Sequence, residues 1–181
     1  MRKTIRKSPI LTIIFLVAAV SLAAEVKYPC EGDKAPLFVL RNMEGMMVSL
    51  NLMCGDKIPP TQRKTIVLDF FQVTCKPCIE ELPAIKKFYA AWKDDERVKF
   101  YMVGVGETPE NMREFQEKYA LTEIPALYDS YLVTFRNFGF NTFPVAMIID
   151  RDRTIRLIVK NKQPKIDEIL TQCLNKILAA P

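Results

Sequence analysis

The chain has 181 residues, 49% hydrophobic and 26% charged, which is the composition of one globular domain preceded by a targeting segment. It contains no histidine, which excludes histidine-based metal, haem and acid–base chemistry and leaves carboxylates and thiols for proton transfer. Four of the 26 basic residues lie in the first seven positions, leaving 22 bases against 21 acids. This balance gives no argument for nucleic-acid binding.

The first 24 residues have the three parts of a signal peptide. An apolar run over 10–20 is followed by the small-x-small sequence Ser21-Leu22-Ala23, and it is preceded by the bases Arg2, Lys3, Arg6 and Lys7. We therefore predict a signal peptide over 1–24, a domain over 25–181, and export to the periplasm or the extracytoplasmic face of the inner membrane. The alternative is an uncleaved anchor, although the run is shorter than the ~20 residues of a membrane span.

The rest of the chain alternates between strand and helix patterns, read from hydrophobic periodicity and from turn residues. In chain order we predict a hairpin over 37–50, a buried strand over 65–71, a helix over 79–92, a strand over 98–105, a helix over 108–120, a strand over 125–128, a short helix over 130–138, a strand pair over 145–150 and 154–160, and a helix over 166–178. Parallel βαβ units followed by an antiparallel pair predict an α/β fold, a mixed sheet with helices on both faces.

Two cysteines, Cys75 and Cys78, lie between the buried strand and the first helix. The partial positive charge of a helix N-terminus favours thiolate, the nucleophilic form, and Lys76 adds a cation. This Cys-x-x-Cys predicts a thiol–disulfide exchange site. The alternatives are a structural disulfide or half of a zinc site. A four-cysteine zinc site needs a second close pair, and Cys30 and Cys54 lie 24 positions apart.

Three segments together resemble the thioredoxin superfamily, and within it the exported TlpA/ResA-like thiol–disulfide oxidoreductases. Residues 32–40 (GDKAPLFVL) look like an AhpC/TSA–redoxin-like opening motif, 69–83 look like the active-site segment, and 143–150 look like the family's cis-proline strand. The resemblance covers about residues 32 to 178. It implies a thioredoxin-like fold with an N-terminal β-hairpin and an extra α-β insertion.

The resemblance also implies roles for four site residues. Cys75 is expected to attack a partner disulfide, and Cys78 to resolve the mixed disulfide. Glu81 lies on the apolar stripe of the helix, where burial should raise its pKa, and the family places a proton-transferring glutamate there. Its alternative is an ion pair with Lys86. Asp69 matches a buried acid beneath the second cysteine, expected as a proton relay or as a partner of Lys99.

Substrate contacts are expected at Phe143, Pro144, Thr74, Lys76 and Pro77. The family motif makes Pro144 a cis proline, which would aim the backbone of Phe143 at the substrate. Thr74 stands where the family usually has tryptophan, and Phe143 stands where it usually has a small or β-branched residue. These departures bear on which substrate is bound and leave the thiol chemistry unchanged.

The remaining cysteines are assigned structural roles. Cys30 and Cys54 flank the hairpin, and an exported protein could join them in a second disulfide; the alternative is two separate thiols. Cys173 lies on the apolar face of the last helix and is expected to be a packing residue.

We expect a monomeric reductant without cofactor or metal, which acts on protein disulfides, such as those of apocytochromes c, and is recharged by a membrane thiol donor of the DsbD type. One alternative is a disulfide-donating oxidant, and another is a non-catalytic binding module. A third is a thiol peroxidase, which needs a threonine three residues before its reactive cysteine. Gln72 occupies that position before Cys75.

Overall fold

The computed structural model describes residues 28–179, so the signal peptide predicted over residues 1–24 lies outside the described residues. Within 28–179, no helix is both long enough and apolar enough to cross a membrane.

The described part contains seven strands and four α-helices, joined by loops that include two short 3-10 turns. The strands are β1 (Val39–Asn42), β2 (Met47–Ser49), β3 (Thr65–Phe71), β4 (Val98–Val105), β5 (Ala126–Asp129), β6 (Val145–Ile149) and β7 (Ile155–Lys160). The helices are α1 (Lys76–Trp92), α2 (Pro109–Lys118), α3 (Val133–Asn137) and α4 (Ile166–Ala179).

All seven strands form one mixed sheet in the order β2-β1-β5-β4-β3-β6-β7. The pairs β3/β4 and β4/β5 are parallel, whereas β6 pairs antiparallel with β3 and with β7. The predicted hairpin, β1 and β2, joins the sheet through an antiparallel pairing of β1 with β5. This architecture confirms the predicted thioredoxin-like α/β fold.

The sheet separates two hydrophobic clusters, and β3 contributes to both because successive side chains of a strand point to opposite faces. Val67 and Phe71 pack with α1, α2 and α4 in the first cluster. Leu68 and Phe70 pack with α3 and the hairpin in the second. Asp69 shares the parity of Val67, and its carboxyl group therefore faces α1.

Helix α1 packs against α4. Trp92, the single tryptophan of the chain, lies at the last residue of α1 and its Nε1 donates a hydrogen bond to Thr171 Oγ1 of α4 at 3.3 Å. This bond ties the end of α1 farthest from Cys75 to the neighbouring helix.

Helix α1 begins three residues earlier than the predicted start at Ile79. Cys75 is its N-cap, with the sulfur accepting from the backbone N–H of Cys78, and Pro77 lies in the first turn. A proline there costs no hydrogen bond because the first N–H groups of a helix have no partner within it. The predicted start of α2 is confirmed, with Thr108 Oγ1 accepting from the N–H of Asn111 at 3.3 Å.

The predicted Cys30–Cys54 disulfide is wrong, because the two side chains point to different environments. Cys54 is buried in the second cluster, and its thiol lies 3.7 Å from the carbonyl oxygen of Leu50. Cys30 lies at the surface with its sulfur 3.2 Å from Asp33 Oδ2. The third of these cysteines, Cys173, is half-buried against the first cluster, as its predicted packing role requires.

Truncation of Leu68 should destabilise the fold, because this side chain is fully buried on the central strand. L68A should lower the free energy of unfolding by about 2–5 kcal/mol, measured by urea denaturation. The matched control is L52A, since Leu52 is 72% exposed and its truncation should change stability by less than ~0.5 kcal/mol. Equal losses in the two variants would contradict the described core.

Candidate active site

Cys75 and Cys78 are joined by a disulfide at the N-terminus of α1. Cys78 is 4% exposed, whereas Cys75 is half-buried. The backbone N–H of Cys78 donates to the sulfur of Cys75 at 3.2 Å. The same donor would stabilise a thiolate at Cys75 after reduction. The more accessible sulfur therefore also has a backbone hydrogen bond, as the prediction that Cys75 is the nucleophile requires.

A tight turn carries the chain from the end of β3 to Cys75. The N–H of Cys75 donates to the carbonyl oxygen of Gln72 at 3.0 Å. Three of the predicted substrate-contact residues, Thr74, Lys76 and Pro77, are exposed around the disulfide. Half-buried Cys75 is therefore flanked in the sequence by exposed residues, which form the rim of the site.

The Phe143–Pro144 peptide bond is cis, as predicted. Pro144 immediately precedes β6, whose first residues pair with the end of β3, and Phe143 packs against the same cluster as Cys75. The ring of Phe143 stacks on Phe135 of α3 at 4.5 Å between centroids, with 11° between their planes. The sheet therefore brings this predicted substrate-contact segment to the edge that carries the disulfide.

Glu81 is buried on the same face of α1 as Cys78, with 5% of its surface exposed. Burial raises the pKa of this carboxyl, although the hydrogen bond from Gln163 and the charge of Lys162 oppose the shift. The N–H of Gln163 donates to Glu81 Oε1 at 2.8 Å. Lys86, the alternative ion-pair partner, instead donates to the carbonyl oxygen of Tyr119. The prediction of a buried carboxyl with a raised pKa is confirmed.

Asp69 is 3% exposed, and its Oδ1 has no hydrogen-bond partner among the described residues. Burial, with a smaller contribution from the charge of Glu81, raises the pKa of Asp69 to about 8. Lys99 is not its partner, because that lysine is exposed on β4 and lies opposite Ile66 in the sheet register. Asp69 and Glu81 are thus two interacting carboxyl groups in the layer between β3 and α1.

This arrangement combines a dithiol–disulfide pair with carboxyl groups that keep their protons at higher pH than usual. Reduction of a disulfide takes up two protons, and a nearby acid can supply or accept them. Among residues 28–179, no three His, Cys, Asp or Glu residues are grouped as a metal site would require.

Glu107 was not among the predicted site residues, although its buried side chain accepts the N–H of Val73 at 3.0 Å. Glu107 lies two residues after the end of β4, and β4 runs parallel to β3. Because the carboxyl ends of parallel strands meet at one sheet edge, an acid at that position was a usable signal. Gln163 was also missed; its contribution is a backbone N–H, which sequence patterns do not reveal.

Comparison with known proteins points to one family. Residues 31–158 match the AhpC/TSA family. The chain is 29% identical over 136 residues to the thiol-disulfide oxidoreductase ResA of Geobacillus thermodenitrificans. This match covers 75% of this chain and 72% of the relative. It is 28% identical over 146 residues to ResA of Bacillus thuringiensis subsp. konkukian, with 81% and 78% covered.

Solved structures show the same fold. A thiol:disulfide interchange protein of the thioredoxin family from Chlorobium tepidum TLS superposes with a TM-score of 0.64 at 18% identity, covering 83% of this chain and 99% of that one. StoA from Bacillus subtilis superposes with a TM-score of 0.61 at 22% identity, covering 77% and 97%.

The raised pKa of Asp69 should make stability depend on pH. The folded state holds a proton on Asp69 at pH values where the unfolded chain, with a pKa near 3.8, has released it. Stability contributed by protonated Asp69 is therefore lost as pH rises towards about 8. D69N cannot ionise, so its stability relative to wild type should rise by about 1 kcal/mol per pH unit between pH ~5 and ~7.5.

Urea denaturation at several pH values measures this slope. The matched control is D94N, because Asp94 is exposed. D94N should run parallel to wild type over the same range. A D69N curve that also runs parallel would show that Asp69 has an ordinary pKa in the folded protein.

Proposed function

The chain belongs to the AhpC/TSA family and is a thiol–disulfide oxidoreductase, and we propose that it works outside the cytoplasm as a reductant of specific protein disulfides. The observation that carries the proposal is the Cys75–Cys78 disulfide at the start of α1, with Cys75 half-buried and Cys78 buried. Such a pair can form and resolve a mixed disulfide with a second protein.

The proposed cycle starts from the reduced dithiol. The Cys75 thiolate attacks one sulfur of the substrate disulfide, forms an intermolecular disulfide and releases the other substrate sulfur as a thiolate. The Cys78 thiolate then attacks Cys75, which releases the second substrate sulfur and leaves Cys75 and Cys78 joined. Two electrons pass to the substrate, and the two protons lost by the dithiol end on the substrate thiols.

Asp69 and Glu81 are proposed to handle the protons of the buried thiol. Cys78 can be deprotonated only where a base is within reach, because burial disfavours its thiolate. The raised pKa values of both carboxyl groups bring them closer to that of a thiol, which makes proton exchange between them more favourable. Glu81, on the same helix face as Cys78, would exchange the proton directly, with Asp69 behind it.

Substrate binding is proposed at the exposed rim formed by Thr74, Lys76 and Pro77 and at the Phe143–Pro144 segment. An extended substrate chain placed beside Phe143 could bond to its backbone groups in the manner of an added strand. The aromatic ring of Phe143 would contribute an apolar contact next to the sulfur.

The proposed location rests on the signal peptide predicted over 1–24, and the proposed partners rest on the family resemblance. We propose that the domain over 25–181 works as a monomer in the periplasm or at the extracytoplasmic face of the inner membrane. That compartment is oxidising, so a reductant there needs an electron source, for which a membrane thiol donor of the DsbD type is suited. Apocytochromes c are the proposed substrates.

The reduction potential of Cys75–Cys78 tests the proposed direction. Equilibration of the exported protein with glutathione buffers should give a value near that of thioredoxin, about −270 mV. A value near about −120 mV would make the protein a disulfide-donating oxidant and would overturn the proposal.

Cysteine variants test the assigned roles. C75S should lose reduction of a protein disulfide such as insulin, whereas C78S should retain the first attack and accumulate a mixed disulfide visible on non-reducing gels. The control is C173S, on α4, which should keep wild-type turnover. If C75S were active, or if wild type consumed hydrogen peroxide much faster than C75S, the assignment would move to another cysteine or to a peroxidase.

A further inference from the structure

The buried carboxylate of Glu107 lies outside the proposed reaction, and it contacts the segment that leads into the active site. Only 6% of its surface is exposed. Oε1 accepts the backbone N–H of Val73 at 3.0 Å, and Oε2 accepts the side-chain amide of Asn111 at 3.3 Å. Its backbone carbonyl oxygen accepts the hydroxyl of Ser130 at 2.7 Å. Glu107 therefore connects the ends of β3, β4 and β5.

Gln72, the residue before Val73, attaches the same segment to β4 through a second hydrogen bond. Gln72 Nε2 donates to the carbonyl oxygen of Val105 at 3.3 Å, and the carbonyl oxygen of Gln72 accepts the N–H of Cys75. Two side chains thus attach the turn before Cys75 to the end of β4. Gln72 reaches from the turn to Val105, and Glu107 reaches from the loop after β4 to Val73.

Helix capping does not account for the buried carboxylate. The N-cap of α2 is Thr108, whose hydroxyl accepts the N–H of Asn111. The side chain of Glu107 reaches a backbone N–H that lies 34 positions earlier in the chain. A buried carboxylate is costly unless it is hydrogen-bonded, so the two donors and the adjacent helix N-terminus are what make the placement tenable.

We propose that Glu107 is a positioning residue, whose carboxylate holds the Gln72–Thr74 segment and thereby sets the placement and reactivity of Cys75. The inference rests on the proposed function and deepens it. Glu107 acts through the backbone of Val73 and touches neither sulfur in the reaction. Loss of the acceptor should let the turn open, which would move Cys75 relative to the N–H of Cys78 that stabilises its thiolate.

The test compares E107A with E107Q. E107Q keeps an oxygen that can accept from Val73, and the amide of Asn111 can turn its own oxygen towards the new side-chain NH₂. E107A has no acceptor. Hydrogen exchange of the Val73 amide should be about tenfold faster in E107A, the loss expected when an N–H loses its hydrogen-bond acceptor, and within about threefold of wild type in E107Q, which keeps an acceptor.

Chemistry at Cys75 gives the second measurement. The rate of iodoacetamide alkylation at Cys75 in the reduced protein should change by at least about threefold in E107A across its pH profile, whereas E107Q should stay close to wild type. The matched control is E110A, because Glu110 is an exposed glutamate on the first turn of α2, close to Glu107 in the sequence. E110A should behave as wild type in both measurements.

Three results would overturn the proposal: unchanged exchange at Val73 in E107A, faster exchange with unchanged alkylation, or equal changes in E107A and E107Q. The third would mean that Glu107 acts through its charge. If E107A fails to fold, E107D with the acceptor withdrawn by one methylene replaces it in both measurements. Neither hydrogen exchange nor alkylation needs a protein substrate. A failure of the proposed reductant function would appear as absent insulin reduction by wild type, and it is therefore distinguishable from a failure of the proposed role of Glu107.

Discussion

The pairing of β3 with β4 on one side and β6 on the other brings together the segments of the candidate site. β3 is buried along its whole length, and its carboxyl end delivers the chain to Cys75. Its parallel neighbour β4 ends next to it and supplies Glu107, and its antiparallel neighbour β6 starts next to it and places Pro144 there. Three distant stretches of sequence therefore meet at one sheet edge.

The acids near that edge differ in how their burial is compensated. Asp69 has an oxygen without a donor and lies near a second carboxyl, so its neutral form is favoured. Glu107 is as deeply buried, but two N–H groups point at its oxygens. The same region of the fold thus holds one buried acid with an oxygen that lacks a donor and another whose two oxygens both accept hydrogen bonds.

Much of this fold could be predicted because its signals are local. The bounds of β3 and β4 were predicted to the residue, since each is a mostly apolar run closed by a turn or by glycine. The start of α1 was placed late because a cysteine sulfur is its N-cap, which common capping rules do not include. The Cys30–Cys54 pairing failed because sequence spacing says nothing about where side chains point. Glu107 was missed although its position just after β4 was a usable signal, because its contact with the active-site segment is made to the backbone N–H of Val73.

The position of Trp92 has a consequence for spectroscopy. The indole lies at the opposite end of α1 from Cys75, and sixteen helical steps separate it from Lys76, which amounts to roughly 25 Å. At that distance contact quenching by the sulfurs is excluded, so the single tryptophan gives a fluorescence signal for the packing of α1 on α4. Emission from this chain therefore reports unfolding, and a change in emission on reduction would reveal a rearrangement that extends along the whole helix.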